Sequence, residues 1–157
     1  MVKKMSINVV VKEFLAVGTR HTCPSNKNPI EIPNAIEQLK KRLNEIPNRT
    51  GKGLIMFEPT ESDEIPTWFV TAEVSELGDI PKDMVVQKIP EQMYATYKHK
   101  GSATKFGETY SILHSWILEN GDYDHGYMVE QQDDGFDVFS NDFTADVYAP
   151  FKPKQSH

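Results

Sequence analysis

Apolar residues recur along this chain with two different periods, and these periods predict its secondary structure. Between residues 32 and 46 the spacing alternates between four and three positions, which places the apolar side chains on one face of a helix. A second stripe with the same spacing covers residues 106–117, and Gly121 follows it at the position expected for a helix cap. Leu39 and Leu113 are the predicted centres of the two buried faces, and Pro33 suits the first turn of the first helix.

Stretches that are rich in β-branched and aromatic residues predict the strands. The first of them is expected to bend at Glu13, and Pro90 is expected to separate two short strands. Loops with Pro, Gly and Asn lie between the elements, and residues 152–157 are predicted to form a frayed tail. The predicted strands are residues 9–19, 54–58, 67–75, 84–89, 93–99, 127–131, 136–140 and 145–149.

The order of these elements is the same in the two halves of the chain. Each half has a strand, a loop, a helix, a glycine-containing loop and then two strands. Sequence identity between the halves is low, so the duplication is supported by element order alone. We therefore predict an α+β fold in one domain spanning residues 1–157, built from pseudo-repeats at about residues 7–80 and 83–152.

Charge and cysteine content narrow the classes of function. The chain has 157 residues and a formal net charge of −6, and its lysines and arginines form no long cluster, so direct binding to nucleic acid is not expected. Cys23 is the single cysteine, which excludes an intramolecular disulfide. The apolar run near the N-terminus is too short to span a membrane, so no membrane partner and a cytoplasmic location are expected.

Catalytic and metal-binding motifs are not apparent in the sequence. The five histidines have no zinc-type spacing with cysteine or aspartate. There is no glycine-rich phosphate loop and no nucleophile elbow. We therefore predict no metal, no cofactor and no assigned catalytic residue.

The segment from Ile89 to Lys152 carries a resemblance to a known family. It begins with a strand-like run that ends at Gly101, continues with a helix ending in Trp116-Ile117-Leu118-Glu119-Asn120-Gly121, and closes with two aromatic-rich strands. This order resembles the GyrI-like effector-binding domains of AraC- and MerR-type bacterial transcription activators, and the likeness extends from about residue 13 to residue 152. It implies two β-α-β-β units that are related by a pseudo-twofold axis and form a curved antiparallel sheet. Two helices would cover one face, and a ligand cleft would open on the other.

Strand alternation then selects the residues that would line such a cleft. Trp68, Val70 and Ala72 should pack on the helices, which leaves Phe69, Thr71 and Glu73 on the open side. Aromatic rings and a desolvated carboxylate are suited to lipophilic or aromatic cations, as in multidrug-binding proteins. The predicted ligand-binding residues are Phe69, Thr71, Glu73, Tyr97, Trp116, Asp137, Phe139 and Tyr148. The resemblance contributes Asp137, because the family's Phe-Glu-x-Tyr pattern stands here as Phe136-Asp137-Val138-Phe139, with Asp in place of Glu and Phe in place of Tyr.

The resemblance implies a stand-alone protein that binds a small-molecule effector. The matching region begins so near residue 1 that a DNA-binding region for transcription regulation is not expected. Two alternatives remain open. The first is a hydrolase of a reactive small molecule, with Glu73 and either Tyr97 or Tyr148 activating water. The second is a modulator of a partner protein such as DNA gyrase.

Overall fold

The computed structural model describes residues 7–60, 65–133 and 139–154. Strands and helices follow one another in two similar series, and a short extra strand comes directly after the second helix. The α+β class predicted from the sequence is confirmed. The elements are β1 (Asn8–Thr22), α1 (Asn28–Lys40), β2 (Ile55–Pro59), β3 (Thr67–Glu73), β4 (Val85–Lys100), α2 (Phe106–Asn120), β5 (Gly121–Tyr123), β6 (Tyr127–Gln132) and β7 (Thr144–Pro153).

All the strand pairings are antiparallel, and the sheet curves until it meets itself. The strand order is β4-β1-β3-β2-β6-β7-β5, and an additional pairing joins β4 to β7. The first six strands in this order, from β4 to β7, therefore form a closed ring. Strand β5 lies outside the ring and pairs with the C-terminal end of β7. Closure gives the sheet an inner face and an outer face that pack separately.

Both helices lie on the outer face. Leu39 of α1 packs with Trp68 and Val70 of β3, and Leu113 of α2 packs with Val147 and Ala149 of β7. Leu39 and Leu113 have no exposed surface, as the apolar periodicity predicts. The inner face holds a second core that consists largely of aromatic rings. Its fully packed members are Phe14, Ala16, Ile55, Phe57, Phe69, Tyr94, Val129 and Tyr148.

The prediction that Pro90 separates two strands is wrong, because β4 is continuous across it. An irregularity in the β1–β4 ladder explains why. The register shifts between Lys12 and Phe14, which are paired with Gln92 and Ile89. Between these pairs β1 has one residue, Glu13, and β4 has two, Pro90 and Glu91, so the extra residue lies in β4. A proline is tolerated there because the regular ladder is already interrupted.

Helix α1 begins earlier and ends earlier than predicted. It starts at Asn28, so Pro29 occupies the first turn and Pro33 lies inside the helix. Each proline lacks a backbone N–H, and Pro33 therefore leaves one intrahelical hydrogen bond unmade. Beyond Lys40 the chain continues through a short 3-10 turn, and Ile46 still packs into the helix-side core.

Helix α2 runs from Phe106 to Asn120 and is capped at Gly121, as predicted. The predicted frayed tail is wrong for Lys152 and Pro153, because both extend β7 and pair with β5. The predicted strand at 136–140 is outside the described residues up to position 138, and Phe139 and Ser140 lie in a turn. In the part of the chain that the structure describes, no helix is long and apolar enough to cross a membrane.

Candidate functional site

Three of the residues predicted to line the ligand cleft lie in the packed interior of the strand ring. Phe69, Thr71 and Tyr148 face away from the helices, as the alternation predicts, but each is buried. The rings there meet edge to face, with Phe14 at 5.5 Å from Tyr148 and 5.6 Å from Tyr94 between ring centres. Sheet closure fills the face on which an open cleft was expected. The space that stays open on this side lies at its rim.

Glu73 lies at the rim of this inner face. Its carboxylate accepts a hydrogen bond of 2.8 Å from the hydroxyl of Thr50 and lies 3.9 Å from the ammonium of Lys52. It borders a groove of about 600 Å³ with a mixed polar and apolar lining. The Tyr148 hydroxyl accepts a hydrogen bond from Lys12 instead. Glu73 and Tyr148 thus have different partners at the same rim.

The remaining predicted residues are spread over the helix side. Tyr97 and Trp116 pack around α2, where the Trp116 ring lies 5.1 Å from that of Phe151. Tyr97 is consequently on the face opposite Glu73, and the structure does not bring this predicted pair together. Phe139 borders a large cavity, which is described next. Asp137 lies outside the described residues.

The cavity lies between α1 and α2, above the outer face of β2 and β6. Its volume is about 460 Å³, within the range of sites for drug-sized ligands. Most of its lining is apolar. The lining residues are Asn28, Pro29, Ile32, Pro33 and Ile36 from α1, Met56 and Glu58 from β2, Ala103, Thr104, Phe106 and Tyr110 from the start and middle of the α2 region, Glu130 and Gln132 from β6, and Phe139. We call this space the helix-side cavity.

Two glutamates provide the carboxylates of its floor. Met56 pairs with Glu130 and Glu58 pairs with Met128 in the β2–β6 ladder, so all four side chains point to the helix side. Glu130 is 5% exposed, and its carboxylate accepts a hydrogen bond from the Tyr110 hydroxyl. Glu58 retains some accessible surface and has no hydrogen-bond or ion-pair partner among the described residues. We call Glu58 and Glu130 the carboxylate pair.

Burial changes the acidity of both groups. It raises the pKa of Glu58 to about 7. Burial and then the nearby charge of Glu58 raise the pKa of Glu130 well above its ordinary value. No lysine, arginine or histidine is among the described residues that line the cavity. An ionised carboxylate in this cavity therefore has no basic side chain beside it among the described lining residues.

A buried histidine supports the wall that begins α2. His99 lies within 2.7 Å of the Thr109 hydroxyl through Nδ1, and its Nε2 lies within 2.9 Å of the carbonyl oxygen of Gly101. Its ring also stacks on Phe106, with 4.2 Å between ring centres. Since Phe106 borders the cavity, His99 fixes the end of β4 against the cavity wall.

The sequence analysis missed the carboxylate pair because it treated both strands as ordinary packing elements. A signal was present. Met56-Phe57-Glu58 and Met128-Val129-Glu130 both place a glutamate in phase with a methionine, on strands at equivalent positions in the two halves. A charged residue in phase with buried apolar neighbours indicates a functional group or a paired charge.

Solved structures with the same architecture share little sequence with this chain. A protein from Staphylococcus aureus MU50 is 15% identical, has a TM-score of 0.69, and the match covers 95% of this chain and 99% of that one. SAV2435, solved with bound tetraphenylphosphonium, is 15% identical with a TM-score of 0.72, and the match covers 96% and 94% of the two chains. The C-terminal domain of EcmrR is 19% identical with a TM-score of 0.66, and the match covers 96% and 100%. At these identities the likeness establishes the fold.

Family membership rests on the sequence itself. A comparison with curated proteins finds no match. Residues 7–152 match the family described as the GyrI-like small molecule binding domain, and this range holds both helices, the ring of strands and the helix-side cavity. The resemblance inferred from element order is confirmed, and the chain belongs to the GyrI-like small molecule binding domain family.

Proposed function

We propose that this chain binds lipophilic cations in the helix-side cavity, with the carboxylate pair as the counter-charge. The observation that carries the proposal is the placement of Glu58 and Glu130 together in the floor of a mostly apolar cavity. A cation that enters regains in the carboxylate the electrostatic partner it loses in water, while its apolar groups leave water altogether. Aromatic side chains at Phe106 and Tyr110 add faces that attract positive charge.

The bound ligand of SAV2435 supports this class of molecule. Tetraphenylphosphonium is a lipophilic cation, and SAV2435 shares the fold of this chain over nearly its whole length. The cavity volume of about 460 Å³ suits a ligand of that size class. Such a protein would act as an effector-binding module that senses or sequesters the cation.

Calorimetric titration with tetraphenylphosphonium and neutral triphenylphosphine oxide tests the proposal. The cation should bind and the neutral compound should bind more weakly. The double variant Glu58→Gln/Glu130→Gln keeps both side-chain shapes and removes both carboxylates, so it should weaken the cation by roughly tenfold or more. The neutral compound should be unaffected by the double substitution.

Glu73→Gln is the matched control, because it makes the same chemical change at the rim of the inner face. It should leave affinity for the cation unchanged. A loss confined to Glu73→Gln would instead place the ligand in the groove beside Thr50 and Lys52, among the residues first predicted from strand alternation. Equal binding of cation and neutral compound to every variant would contradict the proposal.

Hydrolysis of the bound molecule is a second candidate function, favoured by the contact between Tyr110 and Glu130. A carboxyl with a raised pKa beside a phenol, inside a mostly apolar cavity, is able to donate a proton or, once ionised, to take one from water. Loss of a hydrolysable cationic ester on incubation, prevented by Glu130→Gln, would support turnover. A ligand recovered intact would leave binding alone.

A further inference from the structure

The carboxylate pair is arranged symmetrically about the centre of the β2–β6 ladder. Phe57 pairs with Val129 at this centre, and a methionine and a glutamate flank the centre on each strand. The two glutamates are therefore diagonal neighbours on one face. Such positions place the Cα atoms about 7–8 Å apart.

The two strands hold corresponding places in the two β-α-β-β units. Strand β2 follows α1, and β6 follows α2 after the short β5. The methionine–x–glutamate pattern is repeated at those places, so each unit contributes one carboxylate to a single cavity. One carboxylate would be enough to neutralise a single positive charge.

Ionising the second carboxylate is unfavourable in free energy unless it also has a positively charged partner. Two nearby carboxylates in an apolar cavity repel each other. Burial raises the pKa of Glu58 to about 7, and burial and then the charge of Glu58 raise the pKa of Glu130, so without a bound cation the pair retains a proton at neutral pH. Tyr110 is the other titratable residue among those described in the lining, and its hydroxyl serves Glu130 only. When a ligand with one charge binds, one carboxylate has to stay protonated to avoid this repulsion.

We propose that the carboxylate pair is a site for ligands that carry two cationic groups on one compact apolar body, one group for Glu58 and one for Glu130. This inference rests on the proposed function and narrows its ligand class. Binding of such a dication allows both carboxylates to be ionised, and the proton held by the empty pair is released to the solvent. A monocation leaves that proton in place.

The experiment compares two probes that differ in charge and share one shape. The first is 1,4-bis(trimethylammoniomethyl)benzene. In the second, one trimethylammonium group is replaced by a tert-butyl group, which has the same form and no charge. Titration at neutral pH in two buffers of different ionisation enthalpy gives both the affinity and the number of protons released.

The dication should bind roughly ten- to a hundredfold more tightly than the monocation, because one additional charge-assisted contact increases affinity by about that factor. It should also release more protons. In Glu58→Gln and in Glu130→Gln the advantage of the dication should disappear, while Glu73→Gln should retain it. Glutamine introduces no buried charge, so these variants should fold, and an unfolding curve for each confirms it.

The outcomes separate this inference from the proposed function. Equal affinity for the two probes, with both weakened in the double variant Glu58→Gln/Glu130→Gln, overturns the paired site and leaves cation binding intact. A dication advantage that persists in this double variant also overturns it, because the attraction then comes from the acidic surface as a whole. If neither probe nor tetraphenylphosphonium binds, the proposed function and the paired site both fall.

Discussion

The hydroxyl of Tyr110, on α2, donates a hydrogen bond to the carboxylate of Glu130, on β6. This contact ties the second helix to the floor of the helix-side cavity. It also gives Glu130 a hydrogen-bond donor, which Glu58 lacks among the described residues. The two members of the carboxylate pair therefore differ in environment although the ladder places them symmetrically.

Removing that donor should weaken cation binding and leave the fold in place. In Tyr110→Phe, the ionised form of Glu130 loses its partner, so its pKa should rise further. We expect affinity for tetraphenylphosphonium at neutral pH to fall by roughly three- to tenfold. Tyr123→Phe is the control, since Tyr123 bonds to His114 at the surface and should leave affinity unchanged. Unaltered binding in Tyr110→Phe would separate this hydroxyl from the ligand site.

The stability of the protein should decrease as pH rises through the acidic range. Because burial raises the pKa of Glu58 from 4.5 to about 7, the folded state holds more protons than the unfolded state between these values. The free energy of unfolding should then fall by about 3 kcal/mol as pH passes through this window. Denaturant unfolding of the protein and of Glu58→Gln, at about pH 5 and about pH 8, measures the difference. The variant should show a smaller decrease, because it keeps only the part that Glu130 contributes, and parallel curves for the two proteins would contradict the assignment.

Cation affinity should change with pH in the opposite direction. Ionisation of the carboxylate pair creates the counter-charge, so tetraphenylphosphonium should bind more tightly as pH rises through the pKa of Glu58 near 7. Below that pH, each unit should reduce affinity by up to about tenfold, because a proton competes with the cation. Titrations over a series of pH values test this dependence. Affinity that stays constant with pH, while the double variant Glu58→Gln/Glu130→Gln still binds more weakly, would mean that the pair is ionised throughout.

The two helices should contribute similarly to stability through their central leucines. Leu39 and Leu113 are fully buried in separate clusters on the outer face of the sheet. Replacing either one by alanine leaves a cavity and should reduce the free energy of unfolding by roughly 2–5 kcal/mol. Leu118, which is half exposed on α2, is the control and should cost much less. Unchanged denaturant midpoints for Leu39→Ala or Leu113→Ala would contradict the packing.

Glycine substitutions should separate close packing from helix propensity. A Cβ atom on Gly18 would lie 2.0 Å from the carbonyl oxygen of Val70, so Gly18→Ala must shift paired backbone and should cost about 1–3 kcal/mol or more. Gly107, in the first turn of α2, has open space around it, and Gly107→Ala should be neutral or stabilise by up to about 1 kcal/mol. Thermal unfolding of both variants measures the contrast. Equal effects would mean that β1 and β3 are less closely packed at this point.

Local patterns predicted the elements well, because periodicity reports which side of an element is buried. The stripes around Leu39 and Leu113 found both helices, and alternation in β3 placed Phe69 on the face opposite the helices. What that face contacts depends on pairings between distant segments. The β4–β7 ladder, which brings Tyr97 opposite Val147, closes the ring and encloses Phe69 and Tyr148. Such a long-range pairing leaves no signal in either strand alone.

The candidate site was harder to predict for the same reason. Glu58 and Glu130 are 72 positions apart, and the pattern in each strand does not show that the two side chains meet. Their shared cavity depends on the β2–β6 register, together with helices that arrive from both halves. Pro90 shows the converse case, in which a strong local signal was overruled because a register irregularity in β4 itself accommodates the proline.

The prolines of α1 make the two walls of the helix-side cavity unequal in stiffness. Pro29 and Pro33 both border the cavity, and Pro33 leaves a backbone carbonyl in that wall without its helical donor. Helix α2 has no such interruption and is anchored to the floor through Tyr110. A ligand that needs more room should therefore displace the start of α1 and leave α2 and the strands in place. The proposed site would then have one fixed wall, α2, and one wall that adjusts, the start of α1. Ligands of different width would therefore fit over the same carboxylate pair.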